Sequence, residues 1–497
     1  MPLFKSKEAK KPKEQPGFAS RLDRELPFVV TLVSIMAASG ISPFGSFMKL
    51  ARYKLLPNVM IEARKIVNMV HILGEDPLSA MEKRANGTKS RQYRDLLLGY
   101  VSTVRNGGDI ADFLQSKMQS IFEFEVAIAR QSIAKIGGLV DAYMIMQVIG
   151  LSLYVVVAAL SSLPAGDLIP ISMDSPVFSY LIVFVILPVI SIAILFALDK
   201  TVSSSLVGSR EVLLRGAMFS GAAILAFVLI HLTGMLEGIL DPVYAFPLFL
   251  IGASVWPAYK TLSSERNMKG MEAELPSYLR DIAESRKAGL SPEKSIIYAS
   301  DRLRDHEFHT VVRSFSNQLE WGVPLRKIYE NLAAGVKSRM ALIHFRILIE
   351  AIESGGGYTA SLDILAKSSE AAYNIENEKK SMLKPYFLIA FMVTALMSVT
   401  TLMVSQTFVE VSQTIMPGGD PSAVESQEDS AKVFAIGIAA QSWLTGFLIG
   451  KISTGSFVAG FKYAIMLVAI SMGAAVMTLE FNITPSVFLS PGNVPGI

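Results

Sequence analysis

The stretch ELPFVVTLVSIMAASGISP (25–43) returns, altered but in the same order, as ELPSYLRDIAESRKAGLSP (274–292). Glu25-Leu26-Pro27 matches Glu274-Leu275-Pro276, and Gly40-Ile41-Ser42-Pro43 matches Gly289-Leu290-Ser291-Pro292, both at an offset of 249. Further on, Pro77-Leu78 pairs with Pro324-Leu325, and RNGGDIADFL (105–114) pairs with ESGGGYTASL (353–362), so the offset drifts by only one or two residues. Shared order at a nearly constant period marks a duplicated unit. The unit reads as helical. Ser42-Pro43 and Ser291-Pro292 each set a Ser N-cap before a Pro at the first helical position. In the second copy Ile296, Ile297, Leu303, Phe308, Val311, Val312, Phe315 and Leu319 recur at three- and four-residue steps. Gly107-Gly108 and Gly355-Gly356-Gly357 fall between helical patterns, where the missing Cβ permits a tight reversal. Neither copy shows an alternating strand pattern. The expectation is two bundles of about six antiparallel helices, near 25–135 and 265–384.

Working outward, each copy runs into a long apolar stretch. The whole chain of 497 residues is 51% apolar and only 18% charged, with no cysteine. Its mean hydropathy is +0.43. Disorder as the main state is excluded by that apolar content and a net charge of only +3. The absence of cysteine excludes disulfides, thiol nucleophiles and Cys-ligated zinc. About 20 apolar residues in helix cross a bilayer core. Seven stretches reach or approach that length: 142–163, 177–198, 216–236, 242–259, 385–409, 433–450 and 463–479. The predicted fold class is therefore all-α, a polytopic membrane protein with about seven transmembrane helices and two repeated cytoplasmic helical bundles.

The charges suggest an orientation. Lys5, Lys7, Lys10, Lys11, Lys13, Arg21 and Arg24 mark the N-terminus as cytoplasmic. With seven spans, segments 164–176, 237–241, 410–431 and 480–497 are then external, and none of them carries Lys or Arg. They hold acids instead, among them Asp167, Asp174, Glu237, Asp420 and Glu425. The C-terminus is expected outside. The predicted layout is a basic cytoplasmic tail (1–24), a first cytoplasmic bundle (25–135), four transmembrane helices (136–259), a second bundle (260–384), three transmembrane helices (385–479) and an external tail (480–497). The basic N-terminus is followed by Pro and charged residues, unlike a secretory signal. The lysine-rich tail is either a disordered, orientation-setting segment or one held at an anionic leaflet.

These residues resemble a known family. Two all-α cytoplasmic units, each with a Gly-hydrophobe-Ser-Pro turn, a Gly-Gly turn and then a transmembrane helix, look like the type II secretion F domain. The quoted stretches 25–43, 105–114, 274–292 and 353–362 carry the resemblance. Seven spans, four of them between the copies, resemble the archaeal members, which are platforms of the archaellum and of adhesive pili. The resemblance implies a non-enzymatic protein of the cell membrane. Such a protein couples a hexameric cytoplasmic secretion-type ATPase to assembly of pilin or archaellin subunits, with no cofactor. A homodimer is a plausible arrangement.

Gly446 to Lys451 approximates a P-loop, but the spacing is one short and Ile452 stands where Ser or Thr would bind magnesium. Lys451 reads instead as an anchor at the cytoplasmic side. Asn106-Gly107-Gly108-Asp109 and Pro417-Gly418-Gly419-Asp420 lack the first glycine of the prepilin-peptidase motif. His306-Glu307-Phe308-His309 has its histidines three apart, not the four of a zinc-protease helix; with Asp301 and Asp305 it reads as a charged, solvated helix face, and no metal site is assigned. His231 is the one ionisable residue within a predicted span and reads as a packing residue. Asn482-Ile483-Thr484 is a weak glycosylation acceptor before Pro485. Arg280, Arg286, Lys287, Lys294, Arg302 and Arg304 are the candidate ATPase contacts, followed by Arg313. Arg286-Lys287, just before the Gly289 turn, is the preferred patch. Against it, residues 260–384 hold 19 Lys and Arg beside 17 Asp and Glu, close to the balance of an ordinary solvated surface. No aromatic residues interleave with these cations, so nucleic acid is not an expected partner. Gly137-Gly138 and Pro385 sit where the bundles meet the membrane. With the glycines at 107–108 and 355–357 they are the candidate hinges. The rival classes are a secondary transporter, with broken helices at Pro188 and Pro247, and a membrane receptor or scaffold unrelated to filaments.

Overall fold

The computed structural model describes residues 17–161, 181–201, 209–234, 240–303, 306–336, 338–355, 359–415 and 421–479. Outside them lie the lysines of the N-terminal tail, most of the expected external segments, Arg304, Gly356, Gly357, Asp420 and the Asn482 acceptor. The described chain is 89% helical with no strand, and seven of its helices are long and apolar enough to cross a membrane. It is an all-α polytopic membrane protein.

The first copy contains α1 (Phe18–Asp23), α2 (Leu26–Ala38), α3 (Pro43–Leu50), α4 (Pro57–Leu73), α5 (Pro77–Gly87), α6 (Arg91–Arg105) and α7 (Ile110–Ser161). After a π-helical turn at Ile182–Ile186 come α8 (Leu187–Thr201), α9 (Ser209–Leu232) and α10 (Pro242–Lys287). The second copy continues with α11 (Pro292–Ser300), α12 (His306–Glu320), α13 (Leu325–Gly335), α14 (Arg339–Gly355) and α15 (Thr359–Ile415). The membrane hairpin α16 (Pro421–Thr454) and α17 (Gly460–Leu479) closes the described chain. The chain forms two compact units, residues 1–128 with 267–376 and residues 129–266 with 377–497. α7, α10 and α15 each contribute residues to both.

The helix starts follow the capping residues. Ser42 accepts a hydrogen bond from the Gly45 N–H and Ser291 from the Lys294 N–H, each at 3.3 Å, at matching places in the two copies. Each cap follows a glycine in the left-handed region, Gly40 at φ +75° and Gly289 at φ +93°. Only a residue without Cβ takes that turn cheaply. Asp109 accepts from the Ala111 and Asp112 N–H groups at 2.7 and 3.2 Å. Gly107-Gly108-Asp109 is thus a turn plus the N-cap of α7.

Two separate bundles were the expectation; in the first unit the two copies share one core instead. The cause lies in α2. Its sequence LPFVVTLVSIMAA has no charged side chain, and ten of its thirteen residues are buried. Such a helix cannot keep a wet face, so the second copy helps to cover it. Thr31 bonds Ser368 at 2.6 Å, Ser39 bonds Ser361 at 3.0 Å, and Phe28 meets His344 edge-on at 5.6 Å. Lys49 pairs with Glu350 at 2.6 Å, and Arg339 donates to the Leu55 carbonyl at 2.9 Å. The counterpart of α2 in the second copy, the end of α10, carries Arg280, Asp281, Glu284, Arg286 and Lys287 and keeps an exposed side. Glu25 of the repeated Glu-Leu-Pro accepts from the Asn58 and Val59 N–H groups at 3.1 and 2.9 Å, and so caps α4 from a distance.

The second unit packs through small residues. A Cβ on Gly446 would lie 2.4 Å from the Ala464 backbone, and one on Gly450 would lie 2.2 Å from the Gly460 nitrogen. Gly446 and Gly450 stand four apart on α16, and Gly460 and Ala464 stand four apart on α17. This is the small-xxx-small contact of membrane helices. The residues that approximated a P-loop are therefore a helix-packing motif.

Candidate partner surface and membrane sites

The candidate contacts are placed by the α10 end, α11 and the turn after α11, and most of them are engaged within the first unit. Arg280 pairs with Glu370. Lys287 pairs with Asp363 at 2.9 Å, and Lys367 reaches the same carboxylate at 3.0 Å. Arg286 donates to the Leu290 carbonyl at 2.8 Å, where it helps to close the turn after α10. Arg302 lies 3.6 Å from Asp281 and over the Tyr298 ring. Lys294 is exposed, and Arg304 lies outside the described residues. Arg280 and Lys287 therefore tie α10 to α15. The structure does not gather the five described candidates into a free basic patch. The preferred pair Arg286-Lys287 is committed locally, because a Lys or Arg at a helix C-terminus finds carbonyls and neighbouring acids within reach.

The candidate hinges divide in the same way. Gly107 adopts φ +67° in the α6–α7 turn, with Gly108 beside it. Gly355 is the last residue of α14. Gly137 and Gly138 lie inside α7, and Pro385 lies inside α15 with helix assigned on both sides. A Cβ on Gly137 would lie 2.5 Å from the Tyr386 hydroxyl, so that glycine lets α7 and α15 approach closely.

Buried ionisable groups of the first unit are structural. His344 is fully buried; its Nδ1 lies 2.8 Å from the Met340 carbonyl and its Nε2 has no partner. Burial pushes its pKa down to about 4, against a smaller upward pull from the Met340 bond. Burial raises the Glu25 carboxyl above its ordinary value, and its bonds to Val59 and Asn58 partly offset this. Glu62 is buried between Arg84 and Lys65, the latter at 2.9 Å. Among the described residues no group of three or more His, Asp or Glu is arranged to hold a metal ion. His309 lies on α12, away from any such cluster, and the His306 side chain is not described.

In the second unit, the ionic contacts lie just outside the uncharged apolar runs. Lys451 is buried, pairs with Asp199 at 2.7 Å and lies 4.9 Å over the Phe457 ring. The anchor lysine thus meets a partner in the protein. Lys462 pairs with the buried Glu265 at 2.7 Å. His231 is exposed at the end of α9 and stacks on Phe227 at 6.0 Å.

Sequence reasoning missed a neutral cluster. The Tyr143 hydroxyl bonds Thr445 at 2.7 Å and accepts from Gln147 Nε2 at 2.8 Å. Gln441 Oε1 accepts from Gln147 and from Ser191, both at 3.1 Å, while Gln441 Nε2 has no partner. Gln441 is ten residues from Lys451, about 15 Å along α16, near the middle of a core about 30 Å thick. Five polar but uncharged residues in apolar runs were the available signal.

Comparison with known proteins bears on this architecture. Residues 278–405 match the model of the family described as type II secretion system (T2SS), protein F. The match spans the second copy from Tyr278 of α10 into the apolar part of α15. The chain is also similar to an uncharacterized protein of Methanocaldococcus jannaschii, at 21% identity over 398 residues. That alignment covers 74% of this chain and 66% of the relative, so this chain spans slightly less than two thirds of the relative's length. No solved structure matches.

Proposed function

We propose that the chain is the membrane platform of an archaeal pilus-like filament machine, either an archaellum or an adhesive pilus. In this reading it performs no catalysis. It couples a hexameric cytoplasmic secretion ATPase to the insertion of pilin or archaellin subunits, with its N-terminus inside and its C-terminus outside. One observation carries the reading: the protein F match falls on a duplicated helical unit whose α7, α10 and α15 continue as candidate spans. The similarity to a protein from Methanocaldococcus jannaschii supports the archaeal form. A secondary transporter would place charged groups in mid-membrane, whereas the ionic contacts of the second unit lie outside the uncharged apolar runs.

The test uses the full chain in nanodiscs, titrated with the secretion ATPase of the same cell, together with a deletion strain. Saturable binding and loss of surface filaments are expected. A deletion strain with its normal number of filaments overturns the reading.

A further inference from the structure

The two copies differ at one helix face. In the first copy α4 is flanked by the short helix α1, with Leu22 buried and the Lys65 ammonium 5.7 Å over the Phe18 ring. At an offset of 248 or 249, Lys65 aligns with Arg313 or Ser314 on α12. The residues matching α1, 267–272, are not a separate helix in the second copy; they belong to the continuous α10. They cannot fold over α12 as α1 folds over α4.

Among the described residues the α12 face accordingly stays open. His309, Arg313, Asn317 and Trp321 stand four residues apart along it and line a groove of about 430 Å³ with Ser314 and Gln318. Trp321 is 85% exposed, the most exposed large apolar side chain among the described residues. Among the described residues no acid lines the groove and Arg313 forms no ion pair, unlike Arg280 and Lys287. The side chain sits on a rigid scaffold, since Phe308, Val312 and Phe315 on the opposite side of α12 are in the core.

We infer that the α12 face with Trp321 is the docking surface for the ATPase, and that it takes a partner helix carrying a carboxylate and a large apolar side chain about 12 Å apart, two turns of helix. The inference rests on the proposed function. Its chemistry follows from the two copies: α1 supplies an aromatic ring beneath a cation and a buried leucine, and the open face presents a cation and an unmatched indole. Trp and Arg are also among the residue types enriched in interface hot spots. The chain's own N-terminal tail does not fit, because its five lysines at 5–13 repel Arg313. A basic or purely polar partner leaves both groups unmatched.

The experiment uses the full chain in nanodiscs. Trp321→Ala and Arg313→Glu are each expected to weaken ATPase binding at least tenfold, and Lys287→Ala less than threefold. Both altered side chains are exposed, so unchanged thermal melting confirms retained folding. Trp321→Cys provides a second measurement, because the natural chain has no cysteine. Saturating ATPase should slow its maleimide labelling at least tenfold. If the unaltered chain binds while Trp321→Ala and Arg313→Glu bind within twofold of it, the surface is wrong and the platform reading stands. Labelling at 321 that is slow in nanodiscs without ATPase and fast in detergent shows a lipid-covered face and also overturns it. If the unaltered chain does not bind the ATPase, the platform reading fails and this inference fails with it.

Discussion

Replacing Gly450 with alanine tests the closest approach in the membrane unit. The new Cβ would lie 2.2 Å from the Gly460 nitrogen, 2.3 Å from its Cα and 2.8 Å from the Ala459 carbonyl carbon. These are backbone atoms, so no flexible side chain can swing aside. Restoring an ordinary carbon contact of 3.5–4.0 Å requires α16 and α17 to separate by about 1.3 Å or more. In lipid there is little hydrophobic gain to hold two helices together, and their association depends on close packing. Overpacking of this kind costs about 1–3 kcal/mol, a factor of roughly 5 to 150 in the unfolding equilibrium. Gly446→Ala should behave alike, since its Cβ would lie 2.4 Å from the Ala464 nitrogen and Cα. Gly473 on α17 is the control. A Cβ there meets nothing within 4 Å, so Gly473→Ala should be neutral or stabilise by up to about 1 kcal/mol through helix propensity. The assay is the SDS-unfolding midpoint of the purified full chain, followed by circular dichroism. If Gly450→Ala and Gly446→Ala unfold together with the unaltered chain and Gly473→Ala, the close hairpin is refuted.

Three further outcomes follow from other contacts. Asp199→Asn should destabilise more than Lys451→Met, because Lys451 is the buried partner and would be left as an unpaired cation. The cost is expected at the low end of about 3–5 kcal/mol, since Asp199 is half exposed; equal midpoints in the same SDS assay would contradict this. Gln441→Leu should cost no more than about 1 kcal/mol, because interhelical bonds in membranes average roughly 0.6 kcal/mol and the substitution also removes an unsatisfied amide N–H. A loss several times larger in that assay would mean the cluster holds the unit together. His344 should make the first unit acid-sensitive. Its folded pKa of about 4 lies below the unfolded value near 6.5, so its neutral burial favours folding fully above pH 6.5. That contribution, on the order of 3 kcal/mol, is lost as pH falls from about 6.5 toward 4, where only the unfolded chain binds the proton. Hydrogen exchange across α14 should show this slope in the unaltered chain and a flatter one in His344→Leu; identical slopes would remove His344 as the cause.

The elements were legible because their signals are local. Ser42-Pro43 and Ser291-Pro292 announce helix starts within four residues, and uncharged runs of about 20 residues announce spans. Contacts across the chain left no such trace. Thr31 meets Ser368 across 337 residues, and no periodicity records that pairing. The uncharged sequence of α2 did hold a clue, since a helix without a polar face must be covered on all sides. Arg286 and Lys287 were visible as cations, but their engagement with Leu290 and Asp363 depends on the α10–α15 arrangement. Gly446 and Gly450 approximate a phosphate loop in spacing, but two glycines four apart in an apolar helix also fit a packing template, and the packing reading is the one the fold uses.

The shared core bears on how a platform of this design would respond to a motor. With α2 buried against both copies, a push on the second copy cannot leave the first behind without breaking the Thr31–Ser368, Ser39–Ser361 and Phe28–His344 contacts and exposing apolar surface of α2 to water. Burial of one large apolar side chain contributes about 1.5–3 kcal/mol, so slippage of one copy past the other is disfavoured. The first unit would then move as one body. α7 and α15 leave it without a break in helix, past Gly137 and Pro385. Force applied at the α12 face would therefore reach the candidate spans of α7, α10 and α15 at once, even though that face belongs to the second copy alone. In the proposed platform the duplication would then have a mechanical role: one copy offers the contact, and the other adds a further helix, α7, through which movement enters the membrane.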